Sequence, residues 1–301
     1  MKARAIGRAG WPIGGECRTL PALRIEPEIL LPGHIRHRLT IAFDGTAYYG
    51  WQRQPNDVAV QQRVEEALAK LFPSSPCVHS SSRTDTGVHA LGMIAHFDVP
   101  QAEFRMTPAK LILAANAHLP EDIRVLAVAP TGPGFHARFS ARGKQYRYLI
   151  WNHSAQNPLL RTQAWHVPRP LDLKAMRAAA AALVGRRDFL AFSATPGYAR
   201  RHTVRNVTRC EVKRSGPLLT VVIEADGFLY KMCRGIVGTL VEVGLGRLQP
   251  DALVPMLARR NRSLAGMTAP AHGLVLWKVY YGKKPKPQPG ATDSDEAADI
   301  E

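Results

Sequence analysis

Apolar and polar positions along the first half of the chain predict alternating strands and helices. Residues 38–43 alternate apolar side chains with others, as a half-buried strand does, and Asp44-Gly45 ends this strand with turn-forming residues. Apolar residues then recur at helical spacing from Val60 to Leu71, before Pro73. The rest of this half is predicted to hold strands at 77–81 and 93–99, a helix that begins at Thr107-Pro108, and a last strand at 123–129. Their order is β-α-β-β-α-β.

The second half repeats that order of elements. Strands are predicted at 145–151, 206–213, 218–225 and 274–281. Helices are predicted at 172–184, after the first of these strands, and at 230–243, before the last. This is the element order of the ferredoxin-like fold. We therefore predict an α+β protein with two ferredoxin-like halves, residues 37–135 and 136–281. Their sheets join into one mixed, mainly antiparallel sheet with helices on one side and a central cleft between the halves.

The two ends of the chain lack such a pattern. Residues 1–36 are rich in Gly, Pro and Arg without a sustained period, and residues 282–301 are rich in Pro and then acidic. We expect a flexible N-terminal extension over 1–36 and a disordered C-terminal tail over 282–301.

The formal net charge of +16 indicates the class of partner. Residues 1–36 hold six basic and three acidic residues, and residues 282–301 hold three basic and five acidic ones, so the positive charge belongs to the body of the chain. A basic body favours nucleic acid, whose phosphates release counterions on binding, and the predicted cleft is then an RNA-binding cleft. Charge alone leaves open a basic protein without such a partner.

Composition argues against a membrane protein and against a disulfide framework. The longest apolar runs, such as 178–184, are far shorter than the roughly 18 residues that a membrane span needs. The four cysteines are widely separated and form no C-x-x-C pair, which favours buried thiols over a zinc site. We expect a cytoplasmic protein that does not contact a membrane.

The stretch from Ser82 to Ala90, "SRTDTGVHA", is the first candidate for chemistry. Asp85 lies between two predicted strands and precedes Thr86-Gly87, so a turn would present its carboxylate at the end of the sheet. Aspartates in turns usually cap backbone N–H groups and do nothing more. Arg83 favours a further role, because an arginine near a carboxylate favours the ionised form.

Two rival functions fit parts of the sequence. A metal-dependent hydrolase would use His89, His96 and Asp98, of which the last two share one face of a strand, but further ligands at a recognisable interval are missing. A non-catalytic RNA-binding protein would account for the charge and leave Asp85 without a role. The glycine pattern at 244–249 lacks the third glycine of a nucleotide-binding fingerprint, so we predict no dinucleotide cofactor.

Five segments in order resemble the TruA family of tRNA pseudouridine synthases. They are "FDGTAYYGWQRQP" at 43–55, "SRTDTGVHA" at 82–90, "FHARFSARGKQYRY" at 135–148, "GFLYKMCRGIVG" at 227–238 and "APAHGLVLWKVYY" at 269–281. Together they span most of residues 37–281. One departure is visible: the family motif commonly has Gly before the arginine and Ala after the aspartate, where this chain has Ser82 and Thr86.

The resemblance implies an isomerase that detaches the uracil of a tRNA uridine, rotates it and reattaches it through carbon, without a cofactor or a metal ion. Uridines 38, 39 and 40 of the anticodon stem-loop are the implied substrates, and the implied assembly is a homodimer. Asp85 matches the family's catalytic aspartate, acting as a nucleophile or through a glycal intermediate. Tyr146 matches the tyrosine that stacks on the target base, although it could also be a core residue. Arg234 matches the arginine that pairs with the aspartate, and Arg83 matches the one that fills the space of the flipped nucleotide.

Overall fold

Ten strands form one sheet in residues 29–194 and 202–282, which are the residues described by this computed structural model. The strands are β1 His34–Phe43, β2 His79–Ser80, β3 His89–Pro100, β4 Ile123–Thr131, β5 Gly143–Trp151, β6 Trp165–His166, β7 Gly185–Asp188, β8 Val204–Ser215, β9 Leu218–Ala225 and β10 Leu274–Tyr280. The α-helices are α1 Val60–Ala69, α2 Pro108–His118, α3 Leu173–Ala181, α4 Met232–Gly244 and α5 Leu253–Arg259.

Each half of the chain folds as the element order predicts. In the first half, β1 lies between β4 and β3, and all three strands run antiparallel to their neighbours. In the second half, β5 lies between β10 and β9, and β8 follows β9. The first strand of each half is thus flanked by its third and its last, which is the arrangement of the ferredoxin-like fold. The predicted α+β class with two such halves in one mainly antiparallel sheet is confirmed.

The two halves meet where β10 pairs with β3. This pairing is parallel and short, with Val275 opposite His89 and Leu276 opposite Ala90. On its other side β10 pairs antiparallel with β5, where Leu276 is opposite Tyr146. The last strand of the chain therefore joins the start of β3 to the middle of β5. Any loop that leads into β3 lies close to this joint.

Burial alternates along the strands because one face of the sheet packs against the helices. In β1, Leu39, Ile41 and Phe43 are buried, and the residues between them are only partly covered. Two helix starts follow the sequence signals. The Thr107 side chain accepts a hydrogen bond from Lys110 N at the start of α2, and Asp172 accepts one from Ala175 N at the start of α3.

Several boundaries differ from the prediction. β1 begins at His34, inside the segment predicted as a flexible extension, because residues 34–36 already pair with β3. β2 is only two residues long, and β6, β7 and α5 were not predicted. Residues 1–28 of the predicted extension and the tail beyond Gly282 lie outside the described residues.

Candidate active site

Asp85 lies in the loop between β2 and β3, directly before the joint of the two halves. Thr86 and Gly87 form the predicted turn after it, with Gly87 at a φ of +75°. A second loop packs closely on this one: Trp51 N donates to Thr84 O over 3.3 Å. Gly50 has a φ of +85°, and a Cβ there would lie 2.4 Å from Thr84 O. A glycine is therefore required beside the Asp85 loop.

Arg234 brings its positive charge to the Asp85 carboxylate. Its Nη1 lies 3.1 Å from Asp85 Oδ2, and the side chains of Asp85 and Arg234 are 22% and 14% exposed. The Arg234 Nε donates to Ala269 O over 2.7 Å, while Ala269 N donates back to Arg234 O. The guanidinium is therefore held by a backbone carbonyl through Nε, while its Nη1 donates to the carboxylate. The pair joins residues 149 positions apart in the chain.

Two glycines let α4 carry Arg234 close to the rest of the second half. A Cβ on Gly235 would lie 2.2 Å from Phe192 O, and one on Gly238 would lie 1.7 Å from Met267 O. The spacing of glycines in "CRGIVG" thus places the helix directly against backbone. Because the second of these approaches adjoins Ala269, it also fixes the carbonyl that holds Arg234.

Tyr146 of β5 completes the group and is nearly buried, with 6% of its surface exposed. Its hydroxyl lies 3.1 Å from Ser82 Oγ in the Asp85 loop, and Phe228 packs edge-on against its ring at a centroid distance of 4.9 Å. Burial raises the pKa of the Tyr146 hydroxyl well above its usual value, and the nearby Asp85 adds to this. Tyr148, two residues on, is a core residue whose hydroxyl donates to Pro270 O.

Arg83 does not share this arrangement. Its side chain is exposed and makes no hydrogen bond or ion pair within the part of the chain that the structure describes. The arginine beside Asp85 is Arg234, so the expectation that Arg83 would support the carboxylate is wrong. An exposed arginine is well solvated by water, so an ion pair at such a position would contribute little to stability.

The basic residues near Tyr146 divide between two faces of β5. Lys144 lies on the face of Tyr146, and its Nζ donates to Ser81 O over 2.7 Å. Arg147 lies on the opposite face and stacks over the Trp277 ring at 3.8 Å. Of the two basic residues of β5, Lys144 is thus the one that reaches the candidate site.

The residues of the rival metal site are not assembled. His89 Nε2 lies within hydrogen-bond distance of Thr162 O and His272 O, and its Nδ1 accepts a hydrogen bond from Gly45 N. This imidazole therefore connects the backbone of three separate segments. His96 lies seven residues further along β3, about 20 Å away. Burial lowers the pKa of His96 to about 3. Asp98 accepts hydrogen bonds from Nε and Nη2 of Arg36, at 2.7 and 2.6 Å. Within the described residues no group of three or more His, Cys, Asp or Glu side chains could hold a metal ion.

Comparison with known proteins agrees with this geometry. A family model described as tRNA pseudouridine synthase matches residues 39–140 and 179–282, which include Asp85 and Arg234. The chain belongs to the tRNA pseudouridine synthase family. It is therefore an isomerase that forms pseudouridine in tRNA, and neither a metal-dependent hydrolase nor a non-catalytic RNA-binding protein.

Curated relatives match most of their own length. The tRNA pseudouridine synthase A of Syntrophotalea carbinolica is 48% identical over 81% of this chain and 95% of the relative. The proteins of the same name from Geobacter sulfurreducens and Bacillus pumilus are 45% and 43% identical, each over 81% of this chain and 98% of the relative. The family likeness thus spans both halves and the joint between them.

Three features of this tRNA pseudouridine synthase site were not predicted from the sequence. Phe228 packs on Tyr146, the Ala269 carbonyl holds Arg234, and the Ser82 hydroxyl contacts Tyr146. Phe228 and Ala269 lie in segments that resemble the family, which is the signal that could have found them. Ser82 lies at a departure from the family motif, and only the folded structure brings it to Tyr146.

Proposed function

We propose that this protein converts uridines 38, 39 and 40 of the tRNA anticodon stem-loop to pseudouridine, with Asp85 as the reacting carboxylate. The observation that carries the proposal is the Asp85–Arg234 pair, which lies at the joint of the two halves beside Tyr146. A carboxylate with one arginine partner and an exposed fraction of 22% is both oriented and accessible.

The side chains of Asp85, Arg234 and Tyr146 account for the main steps of the reaction. The N1–C1′ bond of the uridine breaks, the base turns, and a C5–C1′ bond forms. Asp85 assists either by attacking C1′ or by helping to form a glycal intermediate. The C5 proton must then leave, and Tyr146 is the hydroxyl placed to take part in that transfer. Arg234 keeps the carboxylate of Asp85 in position throughout.

Arg83 has a different part in this proposal. Because its side chain is exposed and next to the site, it is available to occupy the space that the target base leaves on flipping. Unstacking a base costs about a few kcal/mol, and a guanidinium that stacks and contacts phosphate offsets some of that cost. The positive charge of the chain supplies the remaining, sequence-independent attraction for the anticodon arm.

We also propose a cytoplasmic homodimer in which one tRNA contacts both subunits. The dimer is supported by the family resemblance, and the cytoplasm is where tRNA is modified in a bacterial cell. No helix in the described residues has the length and apolar character required to cross a membrane. Mass measurement by light scattering tests the dimer, because a monomer in the presence of tRNA would contradict it.

The choice of uridines is tested with tRNA transcripts that carry a single anticodon-arm uridine at position 38, 39 or 40. We expect pseudouridine at each of the three positions, mapped by carbodiimide treatment and primer extension, because recognition by shape and backbone tolerates neighbouring sites. Uridines elsewhere in the same transcripts are the internal control and should stay unmodified. Conversion outside the anticodon arm, with none inside it, would contradict the proposed substrate.

A further inference from the structure

A line of three polar groups leads away from the Tyr146 hydroxyl. Tyr146 Oη lies 3.1 Å from Ser82 Oγ, and Ser82 Oγ lies 3.2 Å from Lys144 Nζ. Lys144 Nζ also donates to Ser81 O over 2.7 Å. Lys144 and Tyr146 are two residues apart on β5 and project from the same face of the strand. The tyrosine, the serine and the lysine are thus connected within hydrogen-bond distance.

Lys144 has no carboxylate partner in the residues described. The charged groups that act on it are cationic, Arg138 from the loop before β5 and Arg205 from β8. The titratable groups that act on Tyr146 are the Cys233 thiol of α4 and the Asp85 carboxylate, and the Tyr281 phenol contacts Ser81. Burial, with the two arginines, lowers the pKa of Lys144 to about 8, so an appreciable share of the amine is neutral near neutral pH. A neutral amine has a lone pair and accepts a proton.

Tyr146 needs such an acceptor if it is to remove a proton from carbon. Burial raises its pKa, so its phenolate is scarce and the neutral hydroxyl predominates. A neutral hydroxyl accepts a proton only when it passes its own proton on. The hydroxyl that contacts Tyr146 Oη is that of Ser82, and the next group along is Lys144 Nζ.

We infer that Lys144 is the final acceptor of the C5 proton, which reaches it from Tyr146 through the hydroxyl of Ser82. This rests on the proposed function, in which Tyr146 takes part in the last proton transfer. Once C5 is bonded to C1′, the C5–H bond breaks and its electron pair forms the C5–C6 double bond. At this stage C6 is doubly bonded to N1, and the π pair of that double bond moves to N1, which takes a proton from solvent. The C5 proton passes to Tyr146 Oη, that of Tyr146 to Ser82 Oγ, and that of Ser82 to Lys144 Nζ.

The cycle closes when the Lys144 ammonium returns its proton to water. The side chain of Lys144 is partly exposed, which allows this exchange. Lys144 and Ser82 are therefore positioning residues that act through Tyr146, and neither needs to touch the RNA. The roles of Asp85 and Arg234 are unchanged by this route.

The test is the pH dependence of single-turnover pseudouridine formation by the full chain, from about pH 6 to about pH 9. The active form has a neutral Lys144, so the wild-type rate should rise about tenfold per pH unit at the acid end and level off above about pH 8. Ser82→Ala breaks the line, and Lys144→Arg keeps the charge and the donors but cannot accept a proton. Both should lower the plateau rate about 10²-fold and abolish the rise near pH 8, with tRNA affinity retained.

Ser80→Ala is the matched control, because the Ser80 hydroxyl donates to Ser82 O without joining the line. It should keep the wild-type rate and pH profile. Deuterium at C5 of the target uridine adds a second measurement: the isotope effect should grow in Ser82→Ala, since proton removal becomes slower. Loss of folding is checked by circular dichroism, and Lys144→Arg is the variant expected to retain the hydrogen bond to Ser81 O.

Four results overturn the inference. A wild-type rate and pH profile in Lys144→Arg would show that the lysine serves only as a cation or a hydrogen-bond donor. A weaker tRNA affinity with an unchanged plateau rate would make Lys144 an RNA contact. If wild-type protein turns over tRNA and Ser82→Ala keeps the rise near pH 8, the relay fails while the proposed function stands. A wild-type protein that forms no pseudouridine would reject both.

Discussion

Asp85→Asn is expected to abolish pseudouridine formation while leaving tRNA binding intact. Asparagine has the size of aspartate and keeps a carbonyl oxygen for Arg234, whose Nη1 lies 3.1 Å from the Asp85 carboxylate. It cannot supply the negative charge that attack at C1′ or formation of a glycal requires. The single-turnover rate should fall by about 10⁴-fold or more, the scale on which enzymes respond to loss of an essential catalytic group.

The measurement pairs the rate with the affinity. Filter binding should give a tRNA dissociation constant for Asp85→Asn within about twofold of the wild-type value. Asp251→Asn is the control, since Asp251 is exposed and lies at the start of the segment that leads into α5. A variant of Asp85 that retains most of the turnover would contradict its assignment. Weak binding with a proportionate loss of rate would make Asp85 an RNA-binding residue.

Asp98→Ala is expected to destabilise the fold strongly. The Arg36 side chain is 1% exposed, and Asp98 holds two of its donors at 2.7 and 2.6 Å. Removal of the carboxylate takes away the acceptor of the Nε and Nη2 hydrogen bonds of this buried guanidinium, while Nη1 still donates to the carbonyl oxygens of Pro133 and Phe135. Breaking such a buried pair costs about 3–5 kcal/mol, and we expect the lower end of that range because water reaches the Asp98 side chain, which is 28% exposed.

Urea unfolding measures this loss in the free energy of unfolding. The control is Glu66→Ala, because Glu66 pairs with Arg63 where both side chains are more than 40% exposed, and such surface pairs contribute about 0–1 kcal/mol. Equal stability of the two variants would contradict the structural role of Asp98.

The order of strands and helices was predictable because its signals are local. Alternation in β1 and helical spacing in α1 follow from which side chains the sheet and the helix bury. The elements that were missed have weak local signals. β7, "GRRD", has no apolar alternation and is held by pairing with β8, and α5 contains a proline at its third position. Their formation depends on neighbours that are distant in the sequence.

The candidate site was predictable only in part for the same reason. The resemblance identified Asp85, Tyr146 and Arg234 as functional candidates, but spacing alone gave no indication that Arg234 reaches Asp85 across 149 positions. It also gave a misleading neighbour, since Arg83 is two residues from Asp85 but is exposed and forms no ion pair with it. Contacts such as that of Ser82 with Tyr146 arise from the parallel joint of β3 and β10, which no local pattern reports.

Release of tritium from tRNA that carries C5-tritiated uridine is the most direct test of the account. C5 loses its hydrogen only when the base is reattached through carbon, so release counts completed isomerisations. We expect the wild-type protein to release tritium from the anticodon arm, and Asp85→Asn to release none while still binding the same tRNA. Release that persists in Asp85→Asn would remove Asp85 from the reaction, and no release by the wild-type protein from any tRNA would contradict the proposed function itself.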